Sequence, residues 1–212
     1  MLLPALNKAR EKARAISCTS NMKQIGNFSM FYTQDNNDYL NPARDKNATT
    51  KKWYFYLAPY AGGDIPSNND FAKHAINKIV CPTVKNANVN DGYNLTYAPN
   101  ISAGAYTNAL GYGCHGDWTT ANKNYQVGSV KKPSGMMSYI ESLCDYAFPG
   151  AVYETPTGVY VGADKYTIHN RHSNGCNMLM VDGHVETYKF TKEEQCTTEA
   201  VAREMGFWSM NY

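Results

Sequence analysis

The chain has 212 residues, 43% of them hydrophobic, which is enough to bury one ordinary core without metals or covalent staples. Only 18% are charged, the formal net charge is +2, and the lysines and arginines are dispersed after residue 14, so no basic stripe marks a nucleic-acid partner. Seventeen tyrosines and a scatter of asparagines supply polarity through neutral groups, which suits an exposed or secreted surface and argues against long-range steering of charged ligands.

The chain opens on the apolar run Met1 to Leu6, which reads as the tail of a longer hydrophobic segment. Nothing in it approaches the ~20 apolar residues that span a bilayer. From Ala5 to about Tyr32, apolar residues recur at helical steps: Leu6, Ala9, Ala13 and Ile16, then Cys18, Met22, Ile25, Phe28 and Tyr32. This spacing predicts one long amphipathic helix. Pro4 is tolerated near its start, where a missing amide costs least. Lys8, Arg10, Lys12 and Arg14 crowd the first turns, against the helix dipole. Their placement is explained if the helix begins upstream and these cations lie mid-helix, just beyond a membrane; a solvated charged face is the plainer alternative. The helix should end at Asp35 to Asp38, where Asn and Asp favour turns. Residues 1–38 are thus the helix and 39–212 a globular head, together one structural domain.

Beyond it, Trp53 to Tyr60 is a short aromatic helix or strand. Segment 81–130 reads as a loop-rich insertion with short strands around Asp91 to Tyr97. Met136 to Leu143 is a strand-compatible run. Asn177 to Val181 and His184 to Tyr188 flank Asp182-Gly183, which predicts a hairpin closed by a two-residue type I′ turn. Thr191, with Glu194 three residues on, forms a capping-box pattern that opens a terminal helix over 192–205.

The sharpest local pattern is His172, nine intervening residues, then Asp182-Gly183. Together with Leu2 to Arg14, Cys18, Asn21-Met22-Lys23-Gln24-Ile25-Gly26, Cys81-Pro82-Thr83 and Lys131-Lys132-Pro133-Ser134, it resembles the type IV pilin-like (pseudopilin) family. Members of that family carry a prepilin-type N-terminus and a processing-associated domain named for the His-x9-Asp-Gly motif. The resemblance brackets the chain, although residues 100–130 and 145–168 match nothing specific. It implies an α+β, pilin-like fold: a long N-terminal amphipathic helix packed on an antiparallel sheet with loop-rich insertions. It further implies a leader removed by a prepilin peptidase and an inner-membrane-anchored precursor with its head in the periplasm or at the cell surface. The mature protein would be a structural subunit of a pilus-like or type II secretion-like filament. Its partners would be other pilin-like subunits and their assembly machine, with membrane contact only through a hydrophobic segment that this chain lacks. Leu6, Ala9, Ala13, Ile16, Met22 and Ile25 would be its assembly face, and His172, Asp182 and Gly183 a structural motif. Catalytic residues, metals and cofactors are not expected.

Two rivals are carried beside this reading. His169, His172, Asp182 and His184 place four metal-type ligands within sixteen residues, as a metal-dependent hydrolase would need. Alternation along a strand makes their convergence doubtful, and the plainer role for His172 is to anchor the loop before the hairpin through Asp182 or nearby backbone. Tyr93, Tyr97, Tyr106, Tyr112 and Tyr125 could instead form a glycan- or protein-binding face, although core tyrosines are the commoner outcome. Cys114-His115 and Ser173 are only local pairs and make no legible triad. The Asn/Asp clusters at 68–70 and 88–91 lack EF-hand spacing and read as turns. Cysteines 18, 81, 114, 144, 176 and 196 are an even set with no CxxC, which suits an oxidising compartment or simple burial. A Cys18 to Cys81 link, tying helix to head, is the candidate pairing.

Overall fold

The computed structural model describes residues 2–43, 52–62, 75–84, 96–100, 125–142, 171–172 and 175–189. Helix α1 runs Leu2–Asp35, 34 residues and therefore about 51 Å long. It stops where the sequence turns to Asn and Asp: Asn37 and Asp38 take positive φ (52° and 62°), a conformation these short polar residues tolerate. The Asp38 amide donates to the Thr33 carbonyl at 3.0 Å, closing the helix end. The aromatic segment is helical: α2 spans Trp53–Leu57 and continues as a 3₁₀ turn, Ala58–Ala61.

Among the described residues four strands follow, β1 Tyr97–Pro99, β2 Met137–Glu141, β3 Cys176–Met180 and β4 Val185–Tyr188. They form one antiparallel sheet in the order β1-β2-β3-β4. Every residue of β1, β2 and β3 is buried, whereas β4 is half-exposed. The β2–β3 register slips between Met137 and Tyr139. That irregularity turns Met137 to the same side as Ile140, away from Tyr139, and so divides the core. On one face Tyr97, Tyr139 and Leu179 pack with Cys18, Met22 and Ile25 of α1 and with Trp53 and Leu57 of α2. On the other, Ala98, Met137, Ile140, Cys176, Met178 and Met180 form a separate buried cluster.

The predicted hairpin exists, with a different turn. The Met180 amide bonds the His184 carbonyl at 2.8 Å and the Gly183 amide bonds the Met180 carbonyl at 3.0 Å. The loop is therefore Val181 to Gly183, three residues rather than two, and within it only Gly183 has positive φ, 89°. A type I′ turn needs positive φ at both central residues, whereas a three-residue loop needs it only at its final glycine. Asp182 instead caps the turn, accepting the His184 amide on Oδ1 at 3.1 Å. The predicted terminal helix over 192–205, the clusters at 68–70 and 88–91, and Tyr93, Tyr106 and Tyr112 lie outside the described residues.

Helix α1 is not one stripe from end to end. Its buried positions are Cys18, Met22, Ile25, Gly26, Ser29 and Thr33. From Leu3 to Arg10 every residue is exposed, and none between Glu11 and Ser17 is buried. At about 100° per residue, Leu6, Ala9, Ala13 and Ile16 fall on the side roughly opposite to the buried set. The apolar face therefore changes sides at the two-residue step from Ile16 to Cys18, a step that a helical period does not accommodate. Met22 and Ile25 belong to the head's own core, and only Leu6, Ala9, Ala13 and Ile16 of the expected assembly face remain available.

The helix docks at close range through Gly26, where an added Cβ would lie 3.1 and 3.3 Å from the two Leu179 methyls. A small group can be absorbed by a rotation of Leu179, and a large one cannot. Gly26→Ala should therefore stay within about 1 kcal/mol of wild type, its gain in helix propensity offsetting mild crowding. Gly26→Leu should cost about 2–3 kcal/mol by overpacking, with both effects read from denaturant midpoints.

Candidate functional site

Four segments distant in sequence meet beneath the point where α1 leaves the head. Cys18 is the first fully buried residue of the helix. Cys81 follows the 3₁₀ turn Ala75–Lys78, with its amide held by Thr96 Oγ1 at 2.8 Å. Glu141 ends β2 on the face of Tyr139, and His172 precedes β3. The ligand-type atoms of these four side chains lie within 4.8 Å of one another, all buried.

His172 is held by the backbone. Its amide donates to the Gly175 carbonyl at 3.1 Å, and the Gly175 amide returns a bond to the His172 carbonyl at 3.0 Å. Gly175 is required for this closure, because a Cβ there would meet Thr187 Cγ2 at 2.7 Å and the His172 carbonyl at 3.1 Å. The His172 Nε2 donates to Glu141 Oε1 at 2.9 Å and sits 3.7 Å from Cys81 Sγ. Glu141 also accepts the Asn177 amide at 3.1 Å and the Asn177 side-chain amide at 3.3 Å. Tyr97, paired across the sheet with Glu141, donates its hydroxyl to Cys18 Sγ at 3.3 Å. Arg171 is fixed by a 3.0 Å bond to the Thr96 carbonyl.

The electrostatics are polarised. The hydrogen bond from the Cys18 thiol, helped by His172 and Arg171, outweighs burial and pulls Cys81 well below the usual thiol range. The same hydrogen bond, then burial and the Glu141 charge, push Cys18 up. Burial alone would lower His172, but its bonds to Cys81 and Glu141 overcome that and raise it to about 9. Burial likewise raises Tyr97, followed by the influence of Cys18.

This is not a nucleophile–base–acid relay. A relay uses the two imidazole nitrogens for different partners. Here Nε2 faces both the sulfur and the carboxylate, while buried Nδ1 has no partner among the described residues. All four residues are buried, His172 at 5% exposure and the other three at 0%. The cleft between α1 and the hairpin, lined by Gly26, Ser29, Met30, Val181 and Gly183 among others, includes none of them. Donors converging on one point are instead suited to holding a thiophilic divalent ion.

The residues singled out in sequence are only partly assembled. His172 does anchor the loop before the hairpin, through Gly175 and Glu141 rather than through Asp182. Asp182 Oδ1 bonds His184 Nδ1 at 2.6 Å on the exposed hairpin tip. The structure therefore separates His172 from Asp182 and His184, and His169 lies outside the described residues. Cys18 and Cys81 do meet, as free thiols. Tyr97 is a core residue; Tyr125 is half-buried and contributes its carbonyl to the Leu40 amide at 2.9 Å. Glu141 carried no signal in sequence beyond an acidic residue closing an apolar strand run, an anomaly in a buried strand that could have marked it. No protein-family model, no curated protein and no solved structure matches the chain.

Because Glu141 is fully buried, removing its partner strands a desolvated carboxylate. His172→Ala should cost about 3–5 kcal/mol, and Glu141→Gln should cost much less on a His172→Ala background than alone. The Asp182–His184 pair is closer, 2.6 Å against 2.9 Å, but exposed, so His184→Ala should cost under about 1 kcal/mol. Chemical denaturation of the four proteins separates the two pairs.

Proposed function

We propose that this protein is a structural subunit of a pilus-like or type II secretion-like filament, with the head presented outward and the first half of α1 packed against helices of neighbouring copies. The observation that carries the reading is the division of α1 at Cys18. A helix held by its own head would keep one apolar stripe on one side. Here Leu6, Ala9, Ala13 and Ile16 occupy the side turned away from the head-binding face, and Leu3, Leu6 and Ile16 are 74%, 48% and 70% exposed. An isolated half-helix is marginal in water, and exposed apolar side chains along a rod are the raw material of helix–helix packing.

The resemblance of the helix and of the His-x9-Asp-Gly segment to pilin-like proteins supports the same reading, as does the α+β arrangement of a long helix laid on an antiparallel sheet. Among the described residues no helix is long and apolar enough to cross a membrane. Anchoring of the precursor, cleavage by a prepilin peptidase and a periplasmic or cell-surface head belong to the proposal and follow from the resemblance. A non-enzymatic role belongs to the same proposal, in which the buried Cys18–Cys81–Glu141–His172 cluster stiffens the join between helix and head.

The test is site-specific photo-crosslinking in the native cell, with the reactive residue at position 16 and, as a control, at exposed Lys131 on the head. Position 16 should give a ladder of covalent multimers containing this chain or other pilin-like subunits. A monomer band alone at position 16 would contradict the proposal.

A further inference from the structure

We infer that Cys18, Cys81, His172 and Glu141 form a structural metal centre for a thiophilic divalent cation, zinc by chemistry, that locks α1 to the sheet where the helix leaves the head. The inference stands independently of the filament reading.

Three features of the geometry point to it. First, the donor set of two sulfurs, one imidazole nitrogen and one carboxylate oxygen is of the kind that fills a closed tetrahedral zinc site. At ordinary Zn–S, Zn–N and Zn–O lengths the donors of such a tetrahedron stand about 3.3–3.8 Å apart. The observed spacings fit within a small relaxation: 3.7 Å from Cys81 Sγ to His172 Nε2, 2.9 Å from His172 Nε2 to Glu141 Oε1, and all four donors within 4.8 Å of one another. Second, the sulfur and the carboxylate converge on the same imidazole nitrogen, as ligands around an ion do and members of a proton relay do not. Third, the four donors come from a helix, a loop, a strand end and a pre-strand turn, and each is fixed from behind. Tyr97 bonds the Cys18 sulfur and Asn177 the Glu141 carboxylate, while Thr96 and Gly175 hold Cys81 and His172 through their backbone; His172 Nδ1 has no partner among the described residues. Preset ligands of this kind are what second-shell support provides at a metal centre.

Charge agrees with a divalent ion. Two thiolates, one carboxylate and a neutral imidazole around M²⁺ sum to a single negative charge, and the guanidinium of Arg171, which acts on Cys81, offsets it. The complete burial of the donors leaves no open coordination position facing solvent, so the ion's role is to close the helix–head joint and not to activate water.

The experiment uses the whole chain purified under reducing conditions after growth with zinc. Elemental analysis should give one zinc per chain. Replacement by Co²⁺ should give the intense visible bands of tetrahedral cobalt together with a near-ultraviolet thiolate charge-transfer band. Cys81→Ser and Glu141→Gln should drop zinc content to background or weaken retention against a chelator, while Asp182→Asn and His184→Ala, on the exposed hairpin tip, should leave it unchanged. If the cysteine variant does not fold, the wild-type cobalt spectrum decides. Zinc absent from the purified chain with no cobalt–thiolate band, retention of zinc in Cys81→Ser, or a Cys18–Cys81 disulfide in peptide maps of protein isolated from its native compartment would overturn the inference.

Discussion

The structure depends on the docking of the second half of α1 onto the β2–β3 face of the sheet. Cys18, Met22, Ile25, Gly26, Ser29 and Thr33 are spaced to face one surface, and Gly26 lets the backbone come close enough for Leu179 to fill the gap. Around that apolar contact several polar groups are paired and not merely hidden. Ser29 Oγ donates to Asn41 Oδ1 at 2.9 Å, and the Asn41 side-chain amide donates to the Tyr139 hydroxyl at 2.8 Å, linking helix, loop and strand below one edge-on aromatic contact between Trp53 and Tyr139. Such networks are directional, so they fix the rotation and the translation of α1 on the sheet, which hydrophobic burial alone leaves loose.

The cluster at Cys18 sits at the upper limit of this interface. Below it the helix is committed to its own head, and above it the apolar side chains face the other way. Physical specialisation of the two halves follows from a single irregularity, the two-residue step from Ile16 to Cys18, which rotates the apolar stripe by roughly half a turn. A mechanical role needs force on the projecting half to reach the head without peeling the helix away. A buried polar or metal-linked junction at the last shared turn would resist such peeling.

Much of the fold was legible because it is written in local pattern. The long helix, its end at the Asn and Asp cluster, the Met137–Glu141 strand and the hairpin around Gly183 each depend on residues within about one or two turns of each other. The site was not legible in that way. Cys18 reads as one more apolar helix position, Cys81 as a loop cysteine, Glu141 as the end of a strand and His172 as part of a motif with Asp182. Their association is made by the sheet register, which sets Tyr97 opposite Glu141, and by the Gly175 closure before β3, which holds His172 against Glu141. Periodicity can assign a face, but it cannot say which of six cysteines will meet which histidine. The turn type is not legible for a related reason: Asp182-Gly183 fits both two- and three-residue loops, and the choice falls to the strand pairing that Met180 and His184 complete.

The head holds α1 only from Cys18 onward, since no residue from Leu3 to Ser17 is buried. Amide hydrogen exchange along the helix in the monomeric protein tests it most directly, since exchange reports local opening. Amides from Met22 to Thr33 should exchange slowly with the core, and those from Leu6 to Arg14 at least about tenfold faster, with the boundary falling next to Cys18. Uniform protection from Leu6 to Thr33, or rapid exchange across the whole helix, would contradict the account.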